Sequence, residues 1–203
     1  MDDRQDFILE GKKAKLFFNL VSRLYPFIEL HLFPEYKRAV KELKIDKNFK
    51  ILDIASGTGI LAGALKEKTN KVTGFDISTK LLKRARRKFN NIEFKEFDLI
   101  NISEVKTNNY DIVSTGYFLH GISLKFRRFI LKNMSRISSK YVIIFDYCCD
   151  GGYLVRFVEW LEGSDYIGFI SSDMDKEFEL AGLKVEKSFQ TSKIGKVWLC
   201  SKI

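Results

Sequence analysis

Residues 51–59 read ILDIASGTG and run straight into ILAGAL, and a second stretch, VTGFDIS, occupies residues 72–78. An apolar, partly β-branched run followed by Ser56, Gly57, Thr58 and Gly59 predicts a buried strand, a glycine turn and the start of a helix. Gly57 and Gly59 allow a sharp turn and let main-chain N–H groups approach a ligand where a Cβ would collide. Ala62 and Gly63 are small enough for the helix to pack closely on a sheet. With Gly57, Gly59 and Ala62 in a G-x-G-x-x-G/A spacing, Asp76 falls about twenty residues further on, where an acid accepts hydrogen bonds from ribose hydroxyls. That spacing leaves NAD and other adenosine ligands open. Asp53 adds a hint, because a carboxylate inside an apolar strand needs a polar partner and so points to the ligand.

Working outward, composition predicts one globular domain. The chain has 203 residues, 45% of them apolar, and shows no compositional break, repeat or low-complexity segment. Its apolar stretches are interrupted by charge before the roughly 18 residues that a transmembrane helix needs. The acidic start MDDRQDF lacks an apolar signal core, and three cysteines, two of them adjacent at Cys148 and Cys149, form neither a disulfide framework nor a metal-ligand spacing. These features predict a cytoplasmic protein without a bound metal. The formal net charge is +9. Basic residues cluster at Lys80, Lys83, Arg84, Arg86, Arg87 and Lys88, and at Lys125, Arg127, Arg128, Lys132 and Arg136. Interleaved with a regular apolar stripe, they read first as solvated helix faces and second as a surface for nucleic acid or anionic lipid.

Residues 11–45 read as two helices, broken around Tyr25-Pro26 and again around Phe33-Pro34. Phe17, Phe18, Leu20, Val21, Leu24, Tyr25, Phe27, Ile28, Leu30, Leu32 and Phe33 exceed what one narrow helix stripe requires, so some of them cover another part of the protein. From residue 49 onward strands and helices alternate, which predicts a parallel sheet with right-handed crossovers. Strands are expected near 49–54, 71–75, 92–96, at Tyr110 to Gly116 and at Tyr141 to Tyr147. The intervening helices fall at 59–68, after an N-cap at Ser78 with Leu81, Leu82, Ala85 and Phe89 on one face, and after Ser123 with Phe126, Phe129, Ile130, Met134 and Ile137 at helical spacing. Helices at 151–162 and 172–181 follow. Leu183 to Gln190 and Val197 to Ile203 then pair as an antiparallel hairpin around Gly195.

ILDIASGTG resembles motif I of the class I S-adenosylmethionine-dependent methyltransferases, and VTGFDIS resembles the acidic loop after their second strand. The likeness covers roughly residues 36–147 and is nearest to the ubiquinone and menaquinone biosynthesis methyltransferases and their small-molecule relatives. It implies an α/β fold: a Rossmann-like, seven-stranded, mostly parallel sheet with a C-terminal antiparallel hairpin, helices on both faces and an N-terminal helical lid. Residues 1–203 then form a single methyltransferase domain, with a helical cap at 1–45, a cofactor-binding core at 46–147, and substrate-side helices with the hairpin at 148–203. The implied cofactor is S-adenosylmethionine, leaving as S-adenosylhomocysteine. By resemblance, Asp53, Ala55, Ser56, Gly57, Thr58 and Gly59 hold its methionine end, Asp76 its ribose, and Ile77, Phe97, Asp98 and Leu99 its adenine, with Asp98 accepting from the amino group. Gly116 and Tyr117 lie beside the transferable methyl.

Such a transfer depends chiefly on holding a nucleophile in line with an activated methyl, so a general base is needed only for an acceptor proton of high pKa. His120, in GYFLHGI, is the first candidate for a base and Tyr117 the second. A histidine there is also a frequent structural feature of the family, and an orienting role is the weightier alternative. His31 is a weaker candidate. Strand four is followed by STGYF instead of the asparagine-proline-proline-aromatic element of many nucleic-acid and protein N-methyltransferases, which favours a small acceptor. Tyr153, Phe157, Trp160, Tyr166 and Phe169 are positioned to wall an aromatic or lipid-like pocket. Leu154, Phe157, Val158 and Leu161, at helical spacing, are more simply read as core. Glu159, Glu162 and Asp165 are the polar residues nearest that wall. The C-terminal half departs from the quinone enzymes and puts a quinone precursor in doubt. Rival readings are an RNA methyltransferase using the basic surface and a non-catalytic binder of S-adenosylmethionine. A dehydrogenase lacks its second domain, and oligomeric state is not legible.

Overall fold

The computed structural model of the chain describes residues 3–21 and 25–203, apart from the side chains of 3, 14, 18–21 and 25–28. It divides into two compact units, Met1–Val105 and Lys106–Ile203. The first comprises α1 (Asp3–Val21), α2 (Tyr25–Glu42), β1 (Lys50–Ile54), α3 (Ile60–Leu65), β2 (Lys71–Asp76), α4 (Thr79–Lys88), β3 (Glu93–Glu96) and a 3-10 turn at Leu99–Glu104. Strands β1 and β2 run parallel with Asp53 opposite Gly74, and β2 and β3 run parallel with Gly74 opposite Phe94. Strand β1 is buried at every position after Lys50, the signature of a strand covered on both faces. Ser78 caps α4 by accepting from the Leu81 amide, and Leu81, Leu82 and Ala85 are buried beneath it.

The second unit comprises β4 (Tyr110–Gly116), a 3-10 turn (Leu119–Gly121), α5 (Leu124–Ile137), β5 (Ser138–Tyr147), α6 (Tyr153–Glu162), α7 (Tyr166–Ile170), α8 (Met174–Leu180), β6 (Leu183–Gln190) and β7 (Gly195–Lys202). Strands β4 and β5 are parallel, with Gly116 opposite Phe145. Strand β7 runs antiparallel to both β5 and β6, which places the hairpin where the short Thr191–Ile194 connection requires it. The seven strands have the order β3-β2-β1-β4-β5-β7-β6, mostly parallel and finished by an antiparallel hairpin. This is the Rossmann-like class expected.

Three expectations are corrected. Pro34 does not break the N-terminal segment but lies inside α2. An internal proline removes one helical hydrogen bond and costs about 3 kcal/mol, which burial of Tyr36, Ala39, Val40 and Leu43 beyond it offsets. Pro26, by contrast, falls in the first turn of α2, where proline is tolerated. Of the apolar set in this segment, Leu24 and the side chains of Phe18, Leu20, Val21, Tyr25, Phe27 and Ile28 lie outside the described residues, while Leu30 is exposed.

The second correction concerns the basic helices. Arg127 is fully buried, donating to the carbonyls of Leu119 (3.0 Å) and Ile122 (3.1 Å) and to Asp165 (3.0 Å). Arg128 makes a two-pronged pair with Glu177, Arg86 bonds the Phe94 carbonyl, and Lys88 pairs with Glu29 at 2.6 Å. Arg127 is thus the exception to the expected solvated faces, since Lys80, Lys83, Arg86, Arg87, Lys88, Lys125, Arg128 and Lys132 are exposed even where they make ion pairs. Third, the stripe on α6 is not core: Leu154 is 77%, Phe157 56% and Leu161 54% exposed, and Glu159 is the one buried residue of that helix. The periodicity is real, but the polar side faces inward because the interior supplies partners for the Glu159 carboxylate.

Candidate functional site

In the first unit, strand β1 ends in a turn held in left-handed backbone at Ala55 (φ 51°), Gly57 (φ 53°) and Gly59 (φ 77°). A Cβ on Gly59 would stand 2.6 Å from the Phe94 ring, so both conformation and space demand glycine there. Around Gly57 the nearest atom to such a Cβ is 3.9 Å away, on Leu81, so its glycine serves the backbone shape alone. The Ser56 amide bonds the Phe75 carbonyl at 2.9 Å, and the Gly59 amide bonds the Ser56 carbonyl at 2.8 Å. Asp76 closes the turn: its Oδ2 accepts from the Gly57 amide at 2.8 Å and its Oδ1 from the Ser78 amide at 2.7 Å. Burial pushes the Asp76 carboxyl up to about 6, against the lowering effect of the Ser78, Gly57 and Ile77 amides. Asp53 and Thr58 are buried at the same strand end. Among the described residues the buried Ser56 Oγ has no hydrogen-bond partner, which leaves a polar group for a ligand to satisfy.

Strand β3 continues the site. Phe97 stacks on Phe75 with ring centroids 4.7 Å apart, and its amide bonds the Asp76 carbonyl. Asp98 caps the 3-10 turn by accepting from the Ile100 amide, and Leu99 is buried. Helix α1 lies over this end: a Cβ on Gly11 would be 3.7 Å from Asp98 Oδ1 and 3.8 Å from Ile77 Cδ1. Lys15 pairs with Glu96 at 2.9 Å, and Arg4 donates to Asn101 at 3.4 Å. Within one unit, the fold therefore gathers Asp53, Ala55–Gly59, Asp76, Ile77 and Phe97–Leu99, the residues singled out in sequence.

In the second unit, Gly116 ends β4 and Tyr117 follows in left-handed backbone (φ 49°), its amide bonded to the Phe145 carbonyl at 2.7 Å. A non-glycine residue in that region marks a strained, over-determined position. His120 is buried between two carboxylates: Nδ1 lies 2.6 Å from Asp146 Oδ1 and Nε2 lies 3.3 Å from Glu159 Oε2. Asp146 Oδ2 also accepts from the Leu119 and His120 amides. Burial opposes the charge on His120, but the two carboxylates outweigh it and raise its pKa to about 10. Glu159 is likewise held below the usual carboxylate range, because His120, Ser164 and Tyr147 together overcome burial. The Tyr147 hydroxyl donates to Glu159 Oε1 at 3.1 Å, and burial next to that carboxylate drives its pKa well above the usual tyrosine value. Rings of Tyr117, His120 and Tyr166 meet Tyr147 edge-on at 4.7–5.1 Å. Burial, then Glu159, raise the Glu162 carboxyl to about 7. Sequence reasoning missed Asp146, Tyr147 and Arg127 here. Asp146 carried the same signal as Asp53, a carboxylate inside the apolar run YVIIFDY.

The first of these sites has the geometry of the glycine turns that bind adenosine ligands in open, Rossmann-like α/β proteins. Residues 51–140 match the methyltransferase domain family. A demethylmenaquinone methyltransferase of Chlorobaculum tepidum is 40% identical over 82 residues, which are 40% of this chain and 34% of the relative. The chain spans about a third of the length of the curated relatives it matches. Among solved structures, magnesium protoporphyrin IX methyltransferase of Synechocystis with bound S-adenosylhomocysteine superposes with a TM-score of 0.71 at 14% identity, covering 96% of this chain and 100% of the other. An S-adenosylmethionine-dependent methyltransferase of Aquifex aeolicus gives 0.62 at 19% identity, covering 83% and 89%. Residues 51–140 thus resemble a methyltransferase domain, and the chain has the fold of S-adenosylmethionine-dependent methyltransferases. The open glycine turn, the Asp76 carboxylate and the unsatisfied Ser56 hydroxyl fit S-adenosylmethionine, the cofactor of the proteins this chain resembles.

Proposed function

We propose that this protein transfers a methyl group to a small acceptor, an aromatic or lipid-like molecule with an O, N or C nucleophile. The observation that carries the cofactor half of this reading is the left-handed turn at Gly57–Gly59 closed onto Asp76 by the Gly57 amide. S-Adenosylmethionine supplies an already activated sulfonium methyl. Asp53 and the Ala55–Gly59 segment hold its methionine end, Asp76 accepts from the ribose hydroxyls, Ile77, Phe97 and Leu99 flank the adenine, and Asp98 accepts from its amino group. Gly116 and Tyr117 border the methyl. The remaining demand on the chain is to hold the acceptor in line and exclude water.

His120 serves as an orienting imidazolium. With a pKa raised to about 10 it already carries its proton at neutral pH, and both ring nitrogens face carboxylates. Tyr117 stands nearest the acceptor in this scheme, without a base being required for an acceptor of low pKa. The aromatic cluster of Tyr117, Tyr147, Tyr166 and Phe169 favours a planar acceptor. A quinol fits that description and agrees with the names of the Chlorobaculum relatives. The RNA alternative loses Arg127, which is buried, while the exposed Arg86, Lys88 and Arg128 are held in hydrogen bonds or ion pairs within the chain. Residues 1–203 act together as one methyltransferase domain in the cytoplasm; no helix among the described residues is long and apolar enough to cross a membrane.

Calorimetric titration with S-adenosylmethionine, S-adenosylhomocysteine and NAD tests the cofactor, on the wild type and on Asp76→Ala. Both sulfur ligands bind the wild type and lose affinity in the variant; binding of NAD alone would overturn the assignment. Transfer of labelled methyl to a panel of hydroquinones and phenols, set against transfer to RNA, tests the acceptor.

A further inference from the structure

Helix α6 carries its apolar side outward. At about 100° per residue, Trp160, Tyr153, Phe157, Leu161 and Leu154 fall within an arc of roughly 120°. Tyr153 is 92% and Trp160 72% exposed, and Ile167 on α7 adds a further exposed apolar side chain. Phe157 and Trp160 stack on each other on the outside, with centroids 6.2 Å apart. The opposite side of α6 is fixed to the interior through Glu159, so this face cannot simply roll inward without breaking the Tyr147 bond and the His120 pair. Contiguous outward apolar surface of this kind marks a site of interaction.

Most of the charges around it are paired locally, Glu162 apart, whose carboxyl burial raises to about 7. Asp150 is paired with Arg156, Asp165 with Arg127 and Glu159 with His120. Beside the segment that enters α6 stands the turn between β6 and β7, which carries Lys193 and leads into β7, where Lys196 lies over the Trp198 ring at 5.0 Å: the Cys148 amide bonds the Ile194 carbonyl at 2.8 Å, and Cys149 Sγ lies 3.4 Å from the Lys193 carbonyl. The chain as a whole bears +9. An apolar arc holding one Trp and one Tyr at its edge, a largely paired border and flanking lysines together match the headgroup–acyl boundary of an anionic bilayer.

The geometry points to α6 as a peripheral membrane anchor: the Tyr153–Leu161 face enters one leaflet of an anionic bilayer, with Lys193 and Lys196 at the headgroups. This holds whatever the methyl acceptor. The test is flotation of the full chain with phosphatidylcholine vesicles, with and without phosphatidylglycerol, alongside tryptophan fluorescence. Trp198 is already buried, so a blue shift on binding reports Trp160. The chain floats with the anionic vesicles and shifts its emission. Trp160→Phe abolishes the shift while keeping most of the binding. The double variant Leu154→Glu, Leu161→Glu lowers the bound fraction by about tenfold or more, with unchanged circular dichroism, and Lys193→Glu with Lys196→Glu removes the preference for anionic lipid. Failure of the wild type to float, or equal binding by the leucine variant, overturns the inference. So does a doubling of mass in light scattering that the leucine variant abolishes without any vesicle binding, which assigns the face to a second copy.

Discussion

The Gly57 amide donates to Asp76 Oδ2 at 2.8 Å across 19 residues of chain. One carboxylate thereby fixes the turn and, in the proposed binding mode, remains through its other lone pairs an acceptor for the cofactor's hydroxyls. Asp76→Asn keeps the volume but leaves either the Gly57 or the Ser78 amide facing an NH2 group, and removes the charge. Hydrogen bonds to charged groups contribute about 1.5–3 kcal/mol each, so the affinity for S-adenosylhomocysteine falls by about one to two orders of magnitude in calorimetry. An unchanged affinity would remove Asp76 from the site.

The same carboxyl makes cofactor binding pH-dependent. Burial raises its pKa in the free protein to about 6. Hydroxyl donors favour the ionised form, so binding tightens as pH rises through 6 and weakens by up to about tenfold per unit below it. The contribution to stability has the opposite sign: it is complete below the unfolded value near 4 and is lost as pH rises through 6. Titrations across pH 5 to 8 show the slope in the wild type and a flat line in Asp76→Asn.

His120 gives a third expectation. Replacing one member of a buried ion pair strands the other, at a cost of about 3–5 kcal/mol, so His120→Gln lowers the urea midpoint sharply. The sign of the pH effect follows from a folded pKa raised to about 10, above the unfolded value of 6.5. This stabilisation is full below 6.5 and is lost as pH rises through 10. The thermal midpoint of the wild type accordingly falls between pH 7 and 10, whereas that of His120→Gln is flatter over the same range. In the methyl-transfer rate, His120 as an imidazolium adds no inflection near 6.5; such an inflection, absent from the variant, would restore it as a base.

What the sequence revealed was local. The strand Tyr110–Gly116 was legible to the residue because an apolar run ends there in a glycine, and Leu183–Gln190 because Leu183, Val185 and Phe189 alternate with polar residues before a turn, and Ser78 and Ser123 cap their helices because a hydroxyl before an amphipathic run has few better uses. The turn at Gly57–Gly59 was legible because left-handed backbone selects glycine. What could not be read depends on partners distant in sequence. Glu159 faces inward only because His120 and Tyr147 await it, 39 and 12 residues earlier in the chain, and the outward turn of Leu154 and Trp160 follows. Arg127 looked like one cation of a basic helix until the carbonyls of the Leu119–Ile122 turn and the Asp165 carboxylate were placed around it. Pro34 stays helical for the same kind of reason, since packing beyond it outweighs a local preference.

Gly11 offers a test of how α1 bears on the cofactor. In mid-helix a glycine is worse than alanine by about 0.5–1 kcal/mol, yet one stands where α1 comes nearest Asp98 and Ile77. A Cβ there meets those side chains at ordinary contact distance, 3.7–3.8 Å, so Gly11→Ala is tolerated and raises stability by up to that amount. A longer side chain has no such room. Gly11→Leu drives its branch toward the Asp98 carboxylate and Ile77, and α1 must lift from the adenine end of the site. Affinity for S-adenosylhomocysteine falls by about tenfold, which corresponds to about 1.4 kcal/mol, while the urea midpoint changes little. Wild-type affinity in Gly11→Leu would show that the cofactor is held without α1, and a matching loss in both variants would trace the effect to helix geometry instead of to the contact with Asp98.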